Sequence, residues 1–162
     1  MVNEDRRWLT LAIELAHRCP PSTTAFSVGA IIVDERGTEI SRGFSRETGR
    51  RHAEESALGK PAAAGAASLG GATLYSSLEP CVRRVSGARA CTDLIIAAGI
   101  RRVVIAWREP PIFVARPGGM AALEAAGVTV VEFADLADLA AATNAHLLPV
   151  SGKPHSPGKE GS

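Results

Sequence analysis

One histidine, one glutamate and two cysteines, in a fixed order, constrain this chain more than any other feature. His52-Ala53-Glu54 is followed by Pro80-Cys81 and, with nine residues between, by Cys91. A catalytic zinc ion takes three protein ligands and keeps one position open. His52, Cys81 and Cys91 supply the three. Two thiolates and a neutral imidazole offset the two charges of Zn2+, and such a metal acidifies water toward neutral pKa. Glu54, two residues beyond His52, is placed to take the water's proton without binding the metal. The bland counterpart is that His-x-Glu arises by chance and that buried thiols are ordinary core residues. The complete ordered set, with a proline before Cys81, favours the metal.

Hydrophobic periodicity places these residues on elements. An amphipathic helix is expected over 5–17, with Trp8, Leu11, Ala12, Leu15 and Ala16 at helical spacing, ended by Pro20-Pro21. The β-branched run 28–34 reads as a buried strand, with 38–44 as its hairpin partner. A helix begins near His52 and stops at Gly59 and Pro61. The Ala- and Gly-rich stretch 61–71 reads as a flexible connector. Strand 72–78 leads into Glu79-Pro80-Cys81, and 82–90 is a basic loop. Helix 91–98, strand 102–107, a Pro- and Gly-rich loop over 109–119, helix 120–126, strand 128–133 and helix 135–147 complete the pattern. An initial hairpin followed by strand–helix alternation argues for a mixed sheet covered on both faces. Sites in such folds gather where strand ends meet helix starts. Both halves of the His/Glu/Cys set fall there.

The remaining bounds are compatible. A chain of 162 residues is expected to form one domain over 1–149, with a disordered tail over 150–162. The net charge of +1 gives no electrostatic case for nucleic-acid or membrane partners. No run approaches the roughly 18 apolar residues of a membrane span, and the charged start is not a secretory signal. With three cysteines, an odd count, the expected setting is the reducing cytoplasm, where metal ligation is favoured over disulfides.

Further candidates have two readings each. Arg83, Arg84 and Arg89, between the cysteines, either hold a substrate phosphate or belong to a solvated loop; Arg46, Arg50 and Arg51 share that ambiguity. Phe26 either stacks on a heterocycle or fills the core, and Trp107 either lines a pocket or only packs. Ala53 and Glu79 flank the expected metal ligands and are candidate substrate contacts.

His-x-Glu followed by Pro-Cys and a second cysteine is the pattern of zinc nucleobase deaminases. The chain resembles the cytidine deaminase-like zinc aminohydrolases over about residues 5–148. Within them it is most similar to the deaminase domain of bifunctional riboflavin-biosynthesis deaminase/reductases. The stretch from Gly71 to Val104, GATLYSSLEPCVRRVSGARACTDLIIAAGIRRVV, carries the likeness, together with Val28-Gly29-Ala30, His52-Ala53-Glu54, Ala126 to Val128 and Asn144. The resemblance implies an α/β/α sandwich around a mixed five-stranded sheet. It also implies zinc on His52, Cys81 and Cys91, Glu54 as proton shuttle, and assembly as a homodimer or homotetramer. The implied substrate is a small aminopyrimidine nucleoside or nucleotide, first the riboflavin-pathway diamino-hydroxy-phosphoribosylaminopyrimidine, otherwise a cytidine or deoxycytidylate compound or a related aminopyrimidine of specialised metabolism. A zinc-stabilised scaffold without turnover is the non-enzymatic alternative. Three stretches depart from the riboflavin pattern and would border the substrate. Ala25-Phe26 replaces Asn-Pro, the inter-cysteine loop is Arg-rich with Ser86-Gly87-Ala88-Arg89, and Glu109-Pro110-Pro111-Ile112 replaces Asp-Pro-Asn-Pro.

Overall fold

Side-chain alternation along three central strands decides which helix covers which face of the sheet. The computed structural model describes residues 2–84, 88–114 and 116–149. Its five strands are β1 (Gly29–Val33), β2 (Glu39–Phe44), β3 (Thr73–Leu78), β4 (Arg102–Trp107) and β5 (Thr129–Glu132), in the order β2-β1-β3-β4-β5. β1 runs antiparallel to both β2 and β3, whereas β3, β4 and β5 are parallel. The β1–β2 turn is fixed by Asp34, whose carboxylate accepts from the amides of Arg36 and Thr38, and by Gly37 at φ 82°.

On one face Ile31, Val33, Tyr75, Val104 and Ala106 pack under α1 (Val2–Leu15), which contributes Trp8, Leu9, Ala12 and Ile13, and against Ala140 of α6 (Ala137–Ala142). The opposite face presents Ala30, Ile32, Leu74, Val103 and Ile105. They meet α2 (Ala53–Gly59) through Ala53 and Ala57, α4 (Cys91–Ala97) through Ile95, and α5 (Gly119–Ala125) through Leu123. The result is the expected α/β/α sandwich. Two glycines set helix distances. A Cβ on Gly43 would lie 2.6 Å from the Ala57 nitrogen, so α2 seats with its backbone against β2. A Cβ on Gly119 would lie 1.9 Å from the Pro80 carbonyl oxygen, so α5 starts directly against the turn after β3.

Two expectations are corrected. The 61–71 stretch is not a bare connector: Pro61 opens a short helix α3 (Pro61–Ala64), and Ala63 and Leu69 are buried in the core. The expected helix over 135–147 is broken into the 3-10 turn Ala134–Leu136, α6, and the 3-10 turn Ala145–Leu147. The second break falls at Asn144. Its fully buried carboxamide accepts from the Ser27 amide at 2.6 Å and donates to the Ser27 carbonyl at 3.0 Å, which holds this position out of a continuous helix. The expected tail over 150–162 and residues 85–87 of the basic loop lie outside the described residues. Among the described residues no helix is long and apolar enough to cross a membrane.

Helix α1 is tied to the sheet by one charged cluster. Asp5, buried, accepts from Arg102 at 2.8 and 2.6 Å and from the Tyr75 hydroxyl at 2.8 Å. Burial pushes the Asp5 carboxyl up, but the Arg102 and Tyr75 hydrogen bonds and the Arg102 charge outweigh it, and the net direction is down. A depressed carboxyl stabilises the fold above its unfolded value and loses that contribution as pH falls through its folded value. Asp5→Ala is therefore expected to lower the unfolding free energy by about 3 kcal/mol at pH 7, because Arg102 loses its counter-charge. Denaturant titrations at several pH values check this. The gap between variant and wild type should close as pH drops below the unfolded Asp value, and a gap independent of pH contradicts it.

Candidate active site

The site forms where β3 leaves the sheet. The Glu79 amide still bonds the Trp107 carbonyl at 2.8 Å, and Pro80 then turns the chain so that Cys81 leaves at the carboxyl ends of the parallel strands. The Thr92 amide donates to the Cys81 carbonyl, and the Cys91 amide donates to Cys81 Sγ at 3.3 Å, which docks the start of α4 on the turn. Across the site His52 flanks the start of α2, its amide donating to Glu55 Oε1 at 3.3 Å. The N-terminus of α4 thus meets the Cys81 sulfur, an arrangement that favours thiolate there.

His52 Nδ1 lies 3.5 Å from Cys81 Sγ and 3.4 Å from Cys91 Sγ, and the three donor atoms all fall within 4.8 Å of one another. Zinc held about 2.3 Å from sulfur and about 2.0 Å from imidazole nitrogen keeps those donors roughly 3.5 Å apart at a tetrahedral angle. The spacing and the soft donor set therefore fit zinc. Hydrogen bonds from Cys91 and His52 hold the Cys81 thiol down at about 4, while the neighbouring Cys81 and burial push the Cys91 thiol up. Burial lowers His52, but Cys81 and Glu54 outweigh it and the net direction is up.

Glu54 is 4% exposed and its pKa is raised, first by burial and then by the Cys81 charge, with His52 opposing. Its Oε1 accepts from the Ser76 hydroxyl at 2.8 Å. A cavity of about 1240 Å³ opens over Glu54 and the metal-ligand cluster. Phe26, Ala53, Glu79, Arg83 and Arg84 line it. Arg89 is exposed and is not among its lining residues. Trp107 stands behind the wall, edge-on to Phe26 with ring centroids 5.2 Å apart, and Phe113 meets Phe26 on another side at 4.9 Å.

Several side chains are committed to holding the walls. Glu79 accepts from the amides of Glu109 (3.0 Å) and Met120 (2.8 Å), which pins the loop after β4 and the start of α5 to the cysteine turn. Arg84, its side chain 6% exposed, pairs with Glu55 at 3.0 Å and donates to the Arg50 carbonyl; among the described residues its Nε has no partner. Arg46, at φ 61°, spends its guanidinium on the loop that carries Phe26, donating to the carbonyls of Pro20 and Phe26 and to the Ser27 hydroxyl. Asn144 grips the same loop at Ser27, and His146 meets the Ser22 carbonyl at 2.7 Å.

Sequence reasoning missed Ser76, Phe113 and Arg116 as site residues, and it placed Glu109 only in a stretch bordering the substrate, without a role. Ser76 carried a signal: a hydroxyl at an inward position between Leu74 and Leu78 needs a buried partner. Glu109 follows the carboxyl end of β4. Burial and the negative charges of Cys81, Glu79 and Glu54 raise its carboxyl to about 7. Phe113 and Arg116 sit in a loop without periodicity, and no local pattern marks them.

Comparison with known proteins agrees with this geometry. The chain is similar to the diaminohydroxyphosphoribosylamino-pyrimidine deaminase of Schizosaccharomyces pombe, 42% identical over 127 residues, 77% of this chain and 31% of that protein. It is similar to the structure of Acinetobacter baumannii RibD, with TM-score 0.75 and 32% identity over 90% of this chain and 39% of that one. It is also similar to Aspergillus oryzae Rib2 deaminase, solved in complex with DARIPP, with TM-score 0.69 and 28% identity over 80% of this chain and 84% of that one. The chain spans about a third of the length of the curated relatives it matches. Residues 2–107 match the family described as cytidine and deoxycytidylate deaminase zinc-binding region, and with the metal-ligand cluster falling inside that match, the chain belongs to this family.

Proposed function

We propose that this chain is a zinc-dependent hydrolytic deaminase that releases ammonia from an amino-substituted pyrimidine, with the riboflavin-pathway diaminohydroxyphosphoribosylaminopyrimidine as substrate. The observation that carries the reading is the convergence of His52, Cys81 and Cys91 beside the buried carboxylate of Glu54 at the floor of a cavity large enough for a nucleotide. Relatives named as riboflavin-pathway deaminases support the substrate. His52, Cys81 and Cys91 would hold a zinc ion, which when bound would supply an acidified water. Glu54 would take a proton from the attacking water and give it to the ring nitrogen beside the amino-bearing carbon; once the oxygen has added to that carbon, Glu54 would take the remaining hydroxyl proton and pass it to the departing amine as the C–N bond breaks. Water and the amino compound become a ring carbonyl and ammonia. Raised by burial, the Glu54 carboxyl is suited to hold a proton between the two transfers. The exposed Arg50, Arg51, Arg83 and Arg116 line the cavity and provide cations for a substrate phosphate.

One observation favours a second substrate. Phe26, edge-on to Phe113 and Trp107, makes an aromatic wall without a side-chain hydrogen-bonding group. Such a wall suits a cytidine or deoxycytidylate ring held by stacking. The free cysteines Cys19, Cys81 and Cys91 support a reducing compartment, such as the cytoplasm, as the setting. Exposed Ile96 and Leu139 offer apolar contacts for a homodimer or homotetramer.

Ammonia release is to be measured with the zinc-loaded protein on the riboflavin-pathway ribotide, cytidine, deoxycytidylate, cytosine and guanine. Selective turnover of the ribotide is expected. Turnover of cytidine compounds instead selects the second substrate, and silence throughout supports a zinc-stabilised scaffold. Glu54→Ala is expected to keep zinc and fold while kcat falls about 10³-fold or more; a fall of less than tenfold removes Glu54 from the proton transfers. Cys91→Ser is expected to lower zinc per chain by elemental analysis, and unchanged stoichiometry excludes Cys91 as a ligand.

A further inference from the structure

Ser76 breaks the pattern of its strand. β3 is central, and its inward-facing positions are Leu74, Ser76 and Leu78, packed against the layer that contains α2. An aliphatic side chain would fill this position with no polar group to satisfy. A fully buried hydroxyl costs about 1–3 kcal/mol unless partnered, and Ser76 is 0% exposed. Its Oγ lies 2.8 Å from Glu54 Oε1 and 2.8 Å from the Leu78 carbonyl oxygen. One hydrogen faces two acceptors, and the pair fixes the rotamer from both sides. Leu78 lies three residues before Cys81 on the same turn. The Ser76 hydroxyl therefore connects the carboxylate on α2 to the strand that delivers a metal ligand.

A glutamate has three side-chain torsions, and burial alone does not decide which oxygen faces the cavity. Ser76 holds Oε1; the carboxylate lines the cavity, and Cys91 stands close enough for Glu54 to push its thiol up. We propose that Ser76 is a positioning residue: by holding Glu54 Oε1 against β3 it reserves Oε2 for the reacting water and substrate. This rests on the reading of Glu54 as the proton-transfer group. Ser76 touches neither metal ligands nor substrate in this role. It acts only through the carboxylate it orients, and a misplacement of about 1 Å at such a group costs up to about 10²-fold in rate.

The test compares Ser76→Ala, Ser76→Thr and Ser76→Val in the zinc-loaded full chain, with Glu54→Gln alongside and the riboflavin-pathway ribotide as probe. Thr and Val have the same shape and differ in the hydroxyl, which separates positioning from packing. Ser76→Ala and Ser76→Val are expected to lower kcat about 10- to 100-fold, with KM within twofold of wild type and zinc stoichiometry unchanged. Ser76→Thr is expected to retain most of kcat. A crystal structure of Ser76→Ala is expected to show Glu54 in more than one rotamer. If Glu54→Gln is inactive but Ser76→Ala keeps kcat within twofold, or if Thr and Val fall together, the positioning role is overturned. If Glu54→Gln retains wild-type turnover, or the wild type is silent on the ribotide, the functional reading fails by itself. The Ser76→Ala crystal still decides the geometry in that case, and a single unchanged Glu54 rotamer overturns it.

Discussion

The molecule depends on one reversal of direction, at the carboxyl end of β3. Three soft donors must meet within a few ångströms although their positions in the chain span forty residues. The strand delivers Cys81, the start of α4 delivers Cys91, and the start of α2 delivers His52. Each arrival has its own anchor. The Cys91 amide bonds the Cys81 sulfur, Gly43 lets α2 seat against β2, and Gly119 lets α5 press on Pro80. A side chain on either glycine would push an anchor away by more than the tolerance of a metal site.

The cost of the arrangement is electrostatic. Cys81, Cys91, Glu54 and Glu79 bring negative or potentially negative groups into one buried region. Burial and this crowding push the Cys91 thiol and the Glu54 carboxyl up and raise Glu109 to about 7. A bound divalent cation is the natural offset to that charge. Around this core the walls are held by groups that do no chemistry. Glu79 ties down two amides, Arg84 pairs with Glu55, and Arg46 with Asn144 secures the loop bearing Phe26. Rigid support of this kind lets a cavity discriminate between ring systems.

The sandwich and the metal cluster were legible because both rest on local signals. Continuous apolar runs at 28–34 and 102–107 and the alternating run at 72–78 mark buried strands, and the ligand types announce themselves at helix starts and a strand end. The cavity walls were less legible because their roles depend on partners far away in sequence. Arg46 read as a possible phosphate ligand, yet its guanidinium is taken by carbonyls twenty or more residues earlier. Asn144 lay inside what read as one helix, and only its bond to Ser27, 117 residues away, explains the break. Arg89 shared the basic loop with Arg83 and Arg84, but only the latter two line the cavity. The alternating run around Ser76 gave the strand, and the serine inside it was the overlooked clue.

The site stands or falls on whether His52, Cys81 and Cys91 together hold one zinc ion. X-ray absorption at the zinc edge of the purified protein decides this. One zinc per chain is expected, with two sulfur neighbours and one imidazole nitrogen from the protein, in keeping with donors already 3.4 and 3.5 Å apart. An all-sulfur shell, a shell that includes a protein carboxylate, or no stoichiometric zinc would contradict it.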